Sequence, residues 1–295
     1  MKKIGVVGLG KMGEGMALSL KRNGYEVVGN ARTSTTRERI SSSLGIRTEA
    51  TVAAVASQVD TIVLSLPLPS DVATVMEGPG GILENIRPGL LVIDTSTSDP
   101  QLTRRLAARM ALASAGMIDA PVSGGAARAM DGTLTMMVGC PDDLWDRAEP
   151  VLKSMSARQF RIGDVGAGHI AKLANNLLLA SHLAIAGEVM YMAESAGVDV
   201  AAVIDAVNAG TGRSNVTEHN FRTWILPRTF DSGFTVELMH KDVRLATDLL
   251  AALGLDLPLT QSVAQRWADA CEGLKGSDDF NRVVDTVKGP RTEER

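Results

Sequence analysis

What this chain has little of excludes more than what it has in abundance. Only two cysteines, Cys140 and Cys271, occur in 295 residues, and they stand far apart. They do not make a disulfide framework, cannot form a metal site by themselves, and fit a reducing compartment. Neither sign of charge dominates. Thirty Lys and Arg against 34 Asp and Glu leave a net charge of −4, which favours neither nucleic acid nor an acidic membrane surface as partner. Internal repeats and low-complexity tracts are absent. The opening MKKIGVVGLG is basic and apolar, yet it is too short for a signal peptide, is broken by glycine and leads into a helix without a cleavage site. Residues 166–197 are the one stretch long enough to cross a membrane. They carry Lys172, Asn175, Asn176, His182, Glu188 and Glu194, a polar load that excludes a span. A soluble, cytoplasmic protein of two ordinary domains is expected.

What is present begins with a strand. Residues 2–8 are short and apolar, and Gly8-Leu9-Gly10-Lys11-Met12-Gly13 follows at once, opening a helix that runs to about Asn23. A second strand, residues 26–29, completes the unit. A lone GxGxxG is a weak signal, but between a first strand and a helix it is what dinucleotide binding requires. Gly8 permits the tight turn, Gly10 lets the backbone approach a pyrophosphate, and Gly13 lets helix and strand pack closely. Further strands are expected at 61–66, 90–93, 117–120, 133–138 and 159–162, with helices between them, for example at 101–113 and 142–155. Such alternation implies a doubly wound, mostly parallel sheet. Ligands bind beyond the C-terminal strand ends of such sheets. Those ends here are residues 8–13, 66–69, 94–97 and 121–125, so four loops are expected to share one crevice. In the last of them Ser123-Gly124-Gly125 exposes backbone N–H groups able to hold a carboxylate.

After Gly163 the strand pattern ends. Residues 166–197 contain no proline, have a glycine at each end and are rich in Leu, Ala and Met, which suits one long helix. At ~1.5 Å per residue it is roughly 45 Å long, and its C-terminal half is apolar on nearly every face, so burial all round is expected. Further helices are expected at 200–207, 215–225, 236–253, 259–274 and 280–287, and the charged tail 290–295 is expected to fray. The chain therefore divides into a dinucleotide-binding domain, residues 1–163, and an all-helical domain, residues 164–295. Lys172 stands just past that boundary, with Gly168 and Asn176 on the same helical face. This position argues against a merely solvated lysine, which is the ordinary reading for Lys241.

These features resemble a known family. Gly8 to Gly13, Asp119-Ala120-Pro121-Val122-Ser123-Gly124-Gly125, Gly168-x-x-x-Lys172-x-x-x-Asn176 and Lys241-Asp242 occur in the order and at the spacing of the β-hydroxyacid dehydrogenases. That family includes 3-hydroxyisobutyrate dehydrogenase and tartronate semialdehyde reductase and is 6-phosphogluconate dehydrogenase-like. The resemblance covers essentially the whole chain. It implies that Lys172 is the catalytic acid/base, that Asn176 helps to hold the substrate, and that Ser123, Gly124 and Gly125 bind its carboxylate. It further implies that Leu66, Pro67, Thr97 and Lys241 lie around the nicotinamide, that no metal takes part, and that the chain forms a homodimer or homotetramer through its helical domain. The chemistry suits the residue types. A lysine whose pKa is brought toward neutrality can take a hydroxyl proton in oxidation and return it in reduction, whereas His169, His182, His219 and His240 can each be structural.

Cofactor choice is read from the end of the second strand. An NAD site usually places Asp or Glu there, but this chain has Gly29-Asn30-Ala31-Arg32-Thr33-Ser34, and Glu26 comes too early. With no carboxylate to repel a phosphate, and with Arg32 and Thr33 able to bond one, NADP(H) is favoured over NAD(H). The expected activity is hydride transfer between NADP(H) and a small β-hydroxy acid or semialdehyde. Two other readings differ in kind. An imine reductase-like enzyme generally lacks the lysine and turns over cyclic imines. A non-catalytic dinucleotide-sensing protein needs the glycine loop but not Lys172, Asn176 and Ser123-Gly124-Gly125 together.

Overall fold

A computed structural model describes residues 2–287; the tail 290–295, expected to fray, lies outside the described residues. Strand β1 (Lys3–Val7) leads into helix α1 (Lys11–Arg22), and β2 (Glu26–Asn30) into α2 (Ser34–Leu44). There follow β3 (Arg47–Glu49), α3 (Val52–Ala56), β4 (Thr61–Leu64), α4 (Pro69–Glu77), β5 (Leu91–Asp94), α5 (Pro100–Leu112), β6 (Gly116–Asp119), β7 (Val122–Ser123), α6 (Gly125–Asp131), β8 (Leu134–Gly139), α7 (Asp142–Lys153) and β9 (Ser156–Gly163). The strands form one sheet in the order β3-β2-β1-β4-β5-β6-β8-β7, with β9 on β8. Pairing is parallel from β3 through to β6. Strand β8 runs antiparallel to β6 and β7 and parallel to β9. The first six strands have the order of a dinucleotide-binding sheet.

Alternation along each strand explains why both faces are covered. Ile4, Val6, Leu91, Ile93 and Ile118 point to a core shared with Met16 and Leu20 of α1 and Leu152 of α7. Val7, Ile62, Leu64, Val92 and Met117 point the other way, onto Val72 and Met76 of α4 and Leu106 and Met110 of α5. A strand buried on both faces reads as a continuous apolar run rather than as an alternating one. Helix starts are set by local chemistry. Thr33 Oγ1 accepts a hydrogen bond from the Thr36 N–H, and Asp99 Oδ1 accepts one from the Gln101 N–H just before Pro100, the positions where orphan donors need acceptors.

The helical part begins with α8 (Ala167–Ser195) and α9 (Val200–Ala209). Residues Val216–Ile225 follow, wound in wider π-type turns where an ordinary helix was expected. Helices α10 (Val236–Ala252) and α11 (Pro258–Gly273) and a 3₁₀ segment, Phe280–Val287, complete it. Contacts divide the chain into two compact units at the Lys172–Leu173 bond, inside α8. The second unit has its own core, in which Leu183, Ala186 and Met190 of α8 meet Phe221, Met239 and Trp267. The expectation that α8 is buried all round needs correction. Leu178, Ile185 and Met192 are 59%, 55% and 65% exposed, because the remaining elements of the unit cover only the Ala180–Leu183–Met190 side.

Trp267 closes that core from α11, fully buried, with its indole N–H donating to the Ala180 carbonyl at 3.2 Å. Trp267→Ala should lower stability by ~3–5 kcal/mol, the usual cost of emptying a buried tryptophan site. Chemical denaturation followed by circular dichroism measures it, and a loss below ~1 kcal/mol would mean that the core closes over the gap.

Candidate active site

Because β1, β4, β5 and β6 are neighbours and parallel, the loops that follow them leave one edge of the sheet side by side. Hydrogen bonds knit them together. Ser65 N–H donates to Val7 O, Thr95 N–H to Leu64 O and Ala120 N–H to Asp94 O. The Leu66 N–H donates to Ser96 Oγ at 3.0 Å, which ties the Leu66-Pro67 turn to the Ser96-Thr97 turn.

The glycine loop is shaped by what a side chain would strike. Gly8 has φ +95°, and a Cβ there would lie 2.2 Å from Ser65 O. A Cβ on Gly13 would lie 1.9 Å from Gly8 O. Gly10, by contrast, has nothing within 4 Å of a Cβ position. Two glycines thus hold the turn against α1, while the third faces open space at the helix start, beside Leu9, Lys11 and Met12. This arrangement fits a pyrophosphate on backbone N–H groups.

Beyond β2 the Asn30 amide donates to Glu49 O of β3 at 3.0 Å. Arg37 donates to the carbonyls of Ala31 and Arg32 at 2.7 and 3.2 Å, bracing the turn from α2. Arg32 itself is exposed and makes no ion pair among the described residues. Its neighbour Thr33 is occupied as the cap of α2.

The Ser123-Gly124-Gly125 stretch is tighter than the open loop expected from sequence. Val122 and Ser123 pair with Met136 and Thr135 of β8, and α6 starts at Gly125. Gly124 and Gly125 have φ +130° and +73°, and nothing lies within 4 Å of a Cβ on Gly125. Four residues before Ser123, Asp119 ends β6 fully buried. Its Oδ1 accepts from the Gly166 N–H at 2.6 Å and its Oδ2 from the His169 N–H at 2.8 Å. Burial raises the Asp119 carboxyl above its ordinary pKa, opposed by His169 and the two backbone N–H groups. The His169 ring is buried too, with Nε2 3.6 Å from Asp94 Oδ2. Gly168 packs so close to β8 that a Cβ would lie 2.3 Å from Met137 O and 2.9 Å from Asp119 Oδ2. Lys172, one turn further along α8, is 9% exposed. In the same unit, burial pushes the Cys140 thiol up to about 11, which leaves it protonated and unsuited to thiolate chemistry.

In the helical unit, Asn176 is buried and donates through Nδ2 to Asp242 Oδ2 at 2.5 Å. Lys241 is buried as well, not a solvated lysine, with Nζ 2.9 Å from Asp242 Oδ1. Asp242 therefore holds both groups. Sequence reasoning quoted Asp119 and Asp242 as parts of motifs without giving either a role, and it passed over Arg37. A carboxylate at the end of an apolar strand, or within an apolar helix, was the available signal, since a buried charge needs partners.

A Rossmann sheet with an open glycine cradle, followed by a helix carrying a buried lysine, defines a dinucleotide-dependent oxidoreductase. Residues 3–163 match the NAD-binding domain of 6-phosphogluconate dehydrogenase, and residues 166–287 match the NAD-binding family of NADP-dependent 3-hydroxyisobutyrate dehydrogenase. The chain belongs to the 3-hydroxyisobutyrate dehydrogenase (β-hydroxyacid dehydrogenase) family, NAD(P)-dependent oxidoreductases acting on CH–OH groups. It is 32% identical to 2-(hydroxymethyl)glutarate dehydrogenase of Eubacterium barkeri over 96% of this chain and 93% of that protein. It is 29% identical to L-threonate dehydrogenase of Escherichia coli K12, over 97% and 95%. Among solved structures, Mycobacterium tuberculosis 3-hydroxyisobutyrate dehydrogenase with L-serine superposes with a TM-score of 0.88 at 29% identity, covering 98% of this chain and 100% of that one.

Proposed function

We propose that this chain interconverts a small 3-hydroxy acid and its semialdehyde with NADP(H), and that Lys172 transfers the proton. The observation that carries this reading is the burial of Lys172 on a helix whose first turn is bonded to the end of β6. A surface lysine has no need of such anchorage. The bound dinucleotide supplies the hydride acceptor in oxidation and the donor in reduction, with Gly8 to Gly13 cradling its phosphates and Leu66, Pro67 and Thr97 around its nicotinamide. In oxidation the neutral Lys172 amine takes the hydroxyl proton as the C–H bond gives up its hydride. In reduction the ammonium returns that proton to the carbonyl oxygen. Ser123, Gly124 and Gly125 hold the substrate carboxylate by backbone N–H groups, a role supported by the open space over Gly125. Asn176, one turn beyond Lys172 on α8, hydrogen-bonds the substrate without adding charge, its amide steadied by Asp242.

For the cofactor, the support is Arg32, which is exposed, without an ion pair among the described residues, and on a turn braced by Arg37. For assembly, it is the spacing of the uncovered side of α8. Leu178, His182, Ile185, Val189 and Met192 are all exposed and recur at alternating steps of four and three residues, the period of a helix seam. A second copy of this chain, bringing the same seam, is the self-complementary partner of a two-fold dimer.

Three outcomes are expected. Lys172→Ala should lose ~10²-fold or more in turnover, with NADPH affinity nearly unchanged by fluorescence titration; near-normal activity in the folded variant removes Lys172 from the chemistry. Arg32→Ala should weaken NADP(H) selectively by roughly 10- to 150-fold, given ~1.5–3 kcal/mol for a charge-assisted bond. The comparison is kcat/KM with NADPH and NADH, and an equal loss with both means that Arg32 does not read the 2′-phosphate. Ile185→Asp should convert a dimer into monomers in light scattering, because a buried unpaired charge costs ~3–5 kcal/mol. A wild type that is already monomeric, or a variant that stays assembled, refutes the seam.

A further inference from the structure

The substrate loop and Lys172 lie far apart in sequence, and the same side chain touches the structure that presents each. Asp119 is the last residue of β6, and Pro121 to Gly125 follow directly from it. Its two carboxylate oxygens accept hydrogen bonds from the N–H groups of Gly166 and His169, at 2.6 and 2.8 Å. Those two N–H groups belong to the turn entering α8 and to its first turn, and Lys172 stands three residues beyond His169. Both bonds are charge-assisted and fully buried, which makes them short, strong and geometrically exacting. Carbon packing leaves no slack in this joint. A Cβ on Gly168 would lie 2.3 Å from Met137 O, and one on Gly139 would lie 2.4 Å from Asp119 Oδ1. The helix thus rests on β8 by bare backbone and on β6 by the carboxylate.

We infer that Asp119 is a positioning residue for the dehydrogenase reaction: its bidentate clamp fixes the distance between the carboxylate-holding Ser123-Gly124-Gly125 backbone and the Lys172 ammonium. The inference rests on the assignment of proton transfer to Lys172. Asp119 touches neither substrate nor cofactor; it acts through the start of α8. Catalysis by a placed group is sensitive to misplacement, and a shift of about 1 Å can cost ~10²-fold. Asp119→Asn keeps the shape and one acceptor oxygen but turns an NH₂ group toward one of the two N–H donors, so that half of the clamp must open.

The test is a double-mutant cycle between Asp119→Asn and Lys172→Ala, because only groups acting through one another are non-additive. With Lys172 present, Asp119→Asn should lower kcat by roughly 10- to 100-fold, while the Kd for NADPH stays within about twofold, or less than ~0.5 kcal/mol. In the Lys172→Ala background the same substitution should change kcat by less than about twofold, since a clamp has nothing left to place. An equal loss in both backgrounds makes Asp119 merely structural and overturns the inference, leaving the role of Lys172 intact. Full activity of Lys172→Ala alone overturns the assignment to Lys172 and this inference with it. A softer variant covers the case in which Asp119→Asn does not fold. Arg104 is exposed and donates to Val165 O at 3.1 Å on the same turn, so Arg104→Ala loosens the entry to α8 without emptying the core. It should cost about two- to twelvefold in kcat, the worth of one ordinary hydrogen bond, and again nothing in the Lys172→Ala background. Additive loss there counts against the clamp.

Discussion

Parallel pairing of β1, β4, β5 and β6 is the constraint on which the cofactor unit depends. Parallel strands in register end together, so the four turns that follow them begin side by side, each one strand spacing from the next. The hydrogen bonds between Ser65 and Val7, Thr95 and Leu64, and Ala120 and Asp94 continue the ladder just past the strands. They turn four flexible connections into one rim. Chemistry placed on that rim inherits the rigidity of the sheet, which is why short polar turns can serve where long loops could not.

Much of this was legible in the sequence because backbone geometry leaves marks on residue choice. The strands buried on both faces announced themselves as apolar runs, and the glycines of the first turn as close approaches. Two short strands were not legible. Arg47-Thr48-Glu49 is polar because it is an edge strand, and Val122-Ser123 is too short to show a period. Antiparallel β8 reads like any other apolar strand, since its direction depends on the partner and not on its own residues. The all-round apolarity of the C-terminal half of α8 was legible, but its burial was not, because a chain does not record whether a neighbouring element or something else covers a face.

The candidate site divides in the same way. Residues whose role follows from being small or charged in a turn, such as Gly10, Gly125 and Arg32, could be picked out by position. Asp119 and Asp242 stood in quoted motifs but, like His169, had no role that the sequence could assign, for their meaning lies in partners distant in sequence or in surroundings that only the fold assembles. Lys241 illustrates the gap. On its own helix it looks like an ordinary surface lysine, yet it is buried against Asp242. Composition gave no hint that the Asp242 carboxylate also holds an amide from another helix.

The joint between β6 and α8 also bears on how the chain is made. Every strand of the sheet has been synthesised by Gly163, yet the Asp119 carboxylate then has neither of its donors. A buried carboxylate without partners costs several kcal/mol. In a nascent chain the end of β6 therefore lacks the partners of its carboxylate until Gly166 and His169 emerge. It is the first turn of the helix, rather than the last strand, that finishes the cofactor unit, and a fragment cut at the end of β9 lacks the piece that closes it.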